Sequence, residues 1–370
     1  MEHQSEFMPD ALFELKSPRA RQLEHALQGV CRAIDEAMNV GELRQVADDI
    51  RSLVHRMIDM APAEILTRLI SSLNDALTRR VIEVEVENGA LPGSASWCWV
   101  ALGSEGRQEQ TLSSDQDNGI IFADGADADA LRSSLLPAAL RINLALDACG
   151  FALCPGQIMA SNPQWCLSLH EWKERFAVWI IEGDPQALLN ASIFFDMRPV
   201  YGAYDLAKSL AQWLAMNAPD NPRFLFQMAE NALRRVPPLG LLHDFAVEKD
   251  GEFTGSIDLK HNAATLFIDA ARIYGLAGGA QAGNTADRLR HAAAAHRLPA
   301  DEVDAWIHAF DFIQLLRLKS QHRSHLDGHA MHNHVDPNQL RAADRHRLLD
   351  ALRHARSLQK RLAMDYLQGG

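Results

Sequence analysis

The chain has 370 residues, 47% of them hydrophobic and 23% charged, with a formal net charge of −12. That length supports two or three domains with substantial cores, and the composition is that of a water-soluble globular protein. The acidic balance, with no long basic run, excludes a general nucleic-acid binder, which needs lysine and arginine to displace counterions. No stretch reaches ~18 consecutive apolar residues, so no membrane span is expected. The polar, acidic start MEHQSEFMPD is unlike a signal peptide. The odd count of five cysteines fits reduced thiols better than a disulfide framework. A cytoplasmic protein is the expectation.

Residues 18–90 read as helical. Pro18 suits the first turn of a helix running to about Asn39, Gly41 separates it from a second, and Pro62 opens a third. In the third, Leu66, Leu69, Ile70, Leu73, Leu77, Val81 and Val84 recur at three- and four-residue steps as one apolar stripe. Arg68, Arg79 and Arg80 fall on the other face, read as a solvated basic surface. Leu91-Pro92-Gly93-Ser94 is a turn signal and a domain boundary.

The stretch Trp97–Phe122, WCWVALGSEGRQEQTLSSDQDNGIIF, carries the chemistry. The apolar run Trp97 to Leu102 reads as a buried strand, broken at Gly103-Ser104, and Gly119–Phe122 reads as a second. Asp115 and Asp117 sit two apart just before that second strand. In extended backbone, side chains at i and i+2 share a side, so two carboxylates face one point and can share a divalent cation. The glycine-serine corner offers backbone N–H groups with no Cβ in the way, suited to phosphate oxygens. Metal-binding acids beside a phosphate cradle point to phosphoryl or nucleotidyl transfer.

Beyond the motif, Asp124-Gly125 turns into a helix from about Asp127 to Cys149, capped by Gly150. Phe151–Leu153 is a short strand candidate ended by Cys154-Pro155-Gly156. A single helix from Asn162 to Ile181 would place Trp165, Trp172, Phe176 and Trp179 on one core-facing side. Phe194 and Phe195 are of buried type. Helices are expected over 203–217 and 221–235, with Pro237-Pro238 as a break, and Asp250-Gly251 signals a hairpin within Phe245–Lys260. Four further helices fill 261–368, the last a long one from Asp344. His322, His325, His329, His332 and His334 match no standard metal spacing and read as a solvated loop. Cys149, Cys154 and Cys166, with His170, lack a C-x-x-C pair and read as reduced, partly buried thiols.

The composite GSEGRQEQTLSSDQDN, a glycine pair with Arg107 and Glu109 and then D-x-D entering an apolar strand, resembles the DNA polymerase beta-like nucleotidyltransferase superfamily. More narrowly, it resembles bacterial nucleotidyltransferase-like proteins often found behind cyclic-nucleotide-binding and CBS domains and related to the protein-PII uridylyltransferase. RLISSLNDALTRR, CPG with IMA and NPQW, SIDLK, ARIYGLA and a late VDP extend the likeness over roughly residues 60 to 368.

The resemblance implies a mainly α chain with a small α/β domain. Its parts are an N-terminal helical bundle (1–90), a nucleotidyltransferase-type mixed sheet (91–183) and a C-terminal helical substrate-binding domain (184–370). It also implies transfer of an NMP group from an NTP, dependent on Mg²⁺ or Mn²⁺, to an acceptor such as a protein side chain, in a uridylyltransferase-like reaction. Asp115 and Asp117 would hold the metal. Gly103 and Ser104 would contact the triphosphate, and Gly106 would permit a tight backbone path. Arg107 is a candidate for phosphate charge; Glu109 either joins the nucleotide site or pairs with Arg107 and holds it.

The superfamily pattern commonly includes a third carboxylate on a later strand. Here that strand falls near Phe151–Met159, FALCPGQIM, which has no acid. Asp196 is the nearest later candidate, although an ion pair with Arg198 or a place at a helix terminus is the favoured reading for it; Glu105 and Asp147 are weaker. The gap keeps a second class open: a catalytically weak or inactive nucleotide-binding regulatory protein acting through a partner. The relatives' regulatory domains are absent, so that partner would act in trans.

Overall fold

A computed structural model describes residues 18–89, 96–125, 127–183, 185–240, 244–280 and 283–367. The turn expected at 91–94 lies outside them. The chain is mostly helical, with one small mixed sheet and a helical C-terminal region. It divides into two compact units, one of residues 1–174 and 196–210, the other of 175–195 and 211–370.

The first unit opens with helices α1 (Pro18–Glu36), α2 (Val40–Met57) and α3 (Ala63–Glu87), which pack on one another. Gly41 does not separate α1 from α2. It lies inside the first turn of α2, because Asn39 starts that helix by accepting the Glu42 N–H at 3.0 Å. All seven apolar-stripe residues of α3 are buried. The opposite face is less open than expected at Arg80, whose side chain is 12% exposed and paired with Glu83 and Glu87.

The sheet follows as β1 (Trp97–Ala101), β2 (Asn118–Phe122), β3 (Cys166–Ser168) and β4 (Arg198–Gly202), in the order β3-β2-β1-β4. β1 lies antiparallel to both β2 and β4, and β3 runs parallel to β2. A fully apolar β1 belongs at the centre of such a sheet: Trp97 and Trp99 are completely buried. Between β1 and β2 lies a four-residue helix, α4 (Gly103–Gly106); α5 (Ala128–Ala148) follows β2 and packs on α3 and β3.

Two expectations change here. Residues 151–153 form no strand beyond a single bridge from Ala152 to Asp115. The helix from Asn162 is broken: a 3₁₀ turn at Pro163–Trp165 leads into β3, and α6 (Leu169–Glu182) begins after it. The break lets Trp165 stack on Trp172 at 6.2 Å while the Trp172 indole N–H donates to the Ile120 carbonyl of β2 at 2.9 Å. The residues that follow, 166–168, pair with β2, so edge pairing overrides the helical spacing of the aromatics.

The division between units falls inside α6 and α8 (Tyr204–Asn217), with α7 (Pro185–Phe194) between them in sequence. In the second unit Phe176, Phe195 and Phe224 stack edge to face, at 4.7 and 6.0 Å. Its remaining helices are α9 (Pro222–Leu233), α10 (Thr265–Ala277), α11 (Thr285–Ala295), α12 (Ala300–Leu326) and α13 (Ala342–Leu367). Asp250-Gly251 makes no two-stranded hairpin. Main-chain bonds from the Glu248 N–H to the Ser256 carbonyl (2.9 Å) and from the Gly255 N–H to the Glu248 carbonyl (2.8 Å) close a loop, and β5 (Ile257–Asp258) pairs instead with the distant β6 (His334–Val335). The histidine stretch is correspondingly not all loop: His322 and His325 lie on α12, and His334 in β6 stacks on Phe253 at 3.8 Å. Among the described residues no helix is long and apolar enough to cross a membrane.

Candidate active site

The hairpin register builds the corner. Ala101 faces Asn118 across β1 and β2, and one residue further the Leu102 N–H donates to the Asp117 carbonyl at 2.8 Å. Gly103 therefore lies against Asp117. It adopts φ +53°, and a Cβ there would stand 2.7 Å from Asp117 Oδ2. Only a residue without a side chain leaves that carboxylate its place over the start of α4. At the other end of α4, a Cβ on Gly106 would meet the Asp196 carbonyl oxygen at 1.7 Å. The chain entering β4 thus rests directly on Gly106, which is the tight backbone path expected of it. Ser104 is half-buried between the two glycines.

Residues 115–118 alternate between two environments. Asp115 and Asp117 are partly exposed, whereas Gln116 and Asn118 point inward and are buried. Inside, Asn143 of α5 donates to Gln116 Oε1 at 2.8 Å and to Asn118 Oδ1 at 3.0 Å. Gln116 also donates to the Phe151 carbonyl at 2.8 Å, and Asn118 accepts the Ala160 N–H at 2.8 Å. Satisfied buried amides of this kind fix a segment's position. They are reinforced by main-chain bonds from Gln116 N–H to the Ala152 carbonyl (2.9 Å) and from Asn118 N–H to the Ile158 carbonyl (3.1 Å).

Those bonds bring the loop 152–158 against the aspartates and deliver Cys154. Its thiol donates to Asp117 Oδ1 at 3.3 Å. A ligand atom from each of Asp115, Asp117 and Cys154 lies within 4.8 Å of the others, the one such metal-ligating group among the described residues. Burial pushes the Cys154 thiol up to about 11, and the Asp117 carboxylate adds to the rise. The two carboxylates fit a divalent cation, since they present hard oxygens side by side.

Arg107 and Glu109 sit elsewhere than at an open phosphate site. The Arg107 guanidinium donates to Glu109 Oε2 at 2.8 Å and to Asp196 Oδ2 at 2.6 Å, and all three residues are buried. Asp196 does make a structural ion pair, but with Arg107; the expected partner, Arg198, is engaged by Asp75 of α3 through two contacts of 2.8 Å. Arg198 also donates to the Glu105 carbonyl at 3.1 Å. The Glu105 side chain is raised to about 8, by burial first and by the Asp75 carboxylate second, against the pull of Arg198. It is therefore largely uncharged at neutral pH.

Several residues of this arrangement were not singled out in the sequence: Gln116, Asn118 and Asn143, which orient the aspartates, Asp75, and Cys154 as a neighbour of the pair. The alternation Asp-Gln-Asp-Asn could have marked Gln116 and Asn118 as inward-facing. No local signal joins Cys154 to a segment almost forty positions earlier.

The family model described as Putative nucleotidyltransferase DUF294 matches residues 48–186. The model of its companion, Putative nucleotidyltransferase substrate binding domain, matches residues 222–366. A search of curated proteins gives no match. The first match spans α3, the glycine corner, the aspartate pair and β3, and the second spans the helices α9 to α13. These domains support a general role in nucleotidyl transfer, and the chain belongs to the family described as Putative nucleotidyltransferase DUF294.

Proposed function

We propose that the protein is a divalent-cation-dependent nucleotidyltransferase that moves an NMP group from an NTP to an acceptor. One observation carries the reading: in a chain of this family, Asp115 and Asp117 converge, with the Asp117 carboxylate seated where Gly103 lacks a side chain. In the reaction the acceptor oxygen attacks the α-phosphorus, the bond to the bridging oxygen of the β-phosphate breaks, and pyrophosphate leaves. The acceptor's proton passes to solvent. Asp115 and Asp117 hold Mg²⁺ or Mn²⁺, which supplies charge for the α-phosphate and the departing pyrophosphate. Gly103 and Ser104 offer main-chain N–H groups, and Ser104 a hydroxyl, to the triphosphate. Arg107 and Glu109 act one layer back: with Asp196 they hold the corner in shape.

A protein side chain as acceptor and a uridylyltransferase-like reaction belong to the same proposal, supported by the motif's resemblance to the protein-PII uridylyltransferase. The substrate-binding region at 222–366 is the natural place for acceptor recognition. Cytoplasm, where NTPs and reduced thiols coexist, is the matching location.

The alternative, a nucleotide-binding regulator without turnover, draws on a separate observation: Asp196 is committed to Arg107, and Cys154 rather than a carboxylate stands beside the aspartates. Each NTP, labelled at the α-phosphate, incubated with Mg²⁺, the purified protein and a cell lysate separates the two. The transferase reading expects label on a macromolecule, lost in Asp115→Asn/Asp117→Asn. NTP binding with no transferred label under any NTP would favour the regulator.

A further inference from the structure

The loop 152–158 holds the position from which a third ligand would reach the aspartates, yet Phe151–Met159 contains no acid. What it presents is sulfur. We infer that Cys154 is the third protein ligand of the Asp115–Asp117 cation site, and that its thiolate makes the site prefer a thiophilic divalent ion of the zinc and cobalt kind over Mg²⁺. The inference rests on the reading of the aspartates as a cation site; it does not require that transfer occur.

The spacing is already that of co-ligands. An ion bonded to a thiolate at about 2.3 Å and a carboxylate oxygen at about 2.1 Å holds the two atoms roughly 3.6 Å apart at a tetrahedral angle, less at narrower ones. Cys154 Sγ and Asp117 Oδ1 are 3.3 Å apart. A ligand atom of Asp115 lies within 4.8 Å of both.

The sulfur is also pinned. Gln157 N–H closes a turn onto the Cys154 carbonyl at 2.9 Å, with Gln157 itself at φ 56°. Within that turn Gly156 lies against the sulfur, which would stand 3.6 Å from a Cβ placed there.

Ligand chemistry then decides selectivity. Mg²⁺ is a hard ion that takes oxygen ligands and keeps several waters. A thiolate adds little to its binding but much to that of zinc-like ions. When such an ion enters, the sulfur–hydrogen bond gives way to a sulfur–metal bond and the proton is released to solvent. Two carboxylates and one thiolate then surround a doubly charged cation.

Cobalt(II) gives a direct readout, because a cobalt–thiolate bond produces a near-ultraviolet charge-transfer absorption that oxygen ligands do not. The full chain, stripped of metal, should develop this band on titration with Co²⁺ and lose it when Zn²⁺ is added. Cys154→Ser and Asp115→Asn/Asp117→Asn should each lack it. In Cys154→Ser, calorimetry should show Zn²⁺ affinity falling about tenfold or more while Mg²⁺ affinity changes less than about twofold. X-ray absorption on the zinc-loaded wild-type chain, which needs no variant to fold, should find one sulfur at about 2.3 Å among lighter ligands. An all-oxygen or oxygen–nitrogen shell in the wild type, or an unchanged band or unchanged Zn²⁺ affinity in Cys154→Ser, would overturn the inference and leave the two-aspartate site standing. Failure of the wild type to bind Mg²⁺, Mn²⁺, Co²⁺ or Zn²⁺ in a manner sensitive to Asp115 and Asp117 would overturn both.

Discussion

Two groups of charged side chains lie within a few residues of each other in sequence and meet opposite fates. Arg107 and Glu109, joined by Asp196, are buried and matched, with a guanidinium set between two carboxylates. Asp115 and Asp117 are partly exposed, face the same way and have a thiol beside them. The first group is built to stay as it is, since a buried pair that loses one member leaves an uncompensated charge. The second faces outward, and under the proposed function its two carboxylates offer a divalent cation hard oxygen ligands. Under the proposed function, structure and chemistry are thus divided within one motif: the inward charges fix the corner, and the outward charges use it.

That division can be broken from the inside. Arg107→Ala removes the cation shared by the buried Glu109 and Asp196 carboxylates, and urea unfolding should show a loss of about 3–5 kcal/mol. A loss near zero would mean that the triad is not what holds the corner.

A gentler probe is pH. The Glu105 carboxyl titrates at about 8 in the folded protein, above its ordinary value. The folded state therefore keeps a proton that the unfolded state gives up, so the contribution is complete below the ordinary carboxylate range and is lost as pH rises towards 8. In the metal-free protein, stability should fall between about pH 5 and 8 by at most about 1.4 kcal/mol per pH unit from this group. Glu105→Gln should flatten the slope; a profile identical to wild type would remove Glu105 as its source.

The smallest structural change falls where the two groups meet. Gly103→Ala places a Cβ at φ +53° and against Asp117 Oδ2. It should cost about 1–2 kcal/mol in stability and weaken cation binding as well, by displacing that carboxylate. Unaltered binding would show that Asp117 has room the geometry does not give it.

Much of this arrangement was legible in the sequence because it depends on local periodicity. The apolar stripe of α3, the strand pair around the glycine corner and the shared side of Asp115 and Asp117 all follow from steps of 3.6 or 2. What escaped depends on which distant segments meet. Cys154 reaches the aspartates only because residues 152 and 158 bond to Gln116 and Asn118. Asp75 takes Arg198 from a helix far upstream, which frees Asp196 for Arg107. The strand at Cys166–Ser168 hid within aromatics at helical spacing, and β5 found its partner in β6 rather than across the Asp250-Gly251 turn. In each case one long-range pairing prevailed over a sound local pattern.

The central claim is that the outward pair, and not the buried triad, binds the nucleotide's cation. Calorimetric titration of Mg²⁺-NTP into the wild type and Asp115→Asn/Asp117→Asn, with thermal melts of both, tests it most directly. Cation-dependent NTP binding should vanish in the variant while its stability stays within about 1 kcal/mol of wild type, or rises slightly as the repulsion is removed. Unchanged Mg²⁺-NTP affinity in a folded variant would contradict the account.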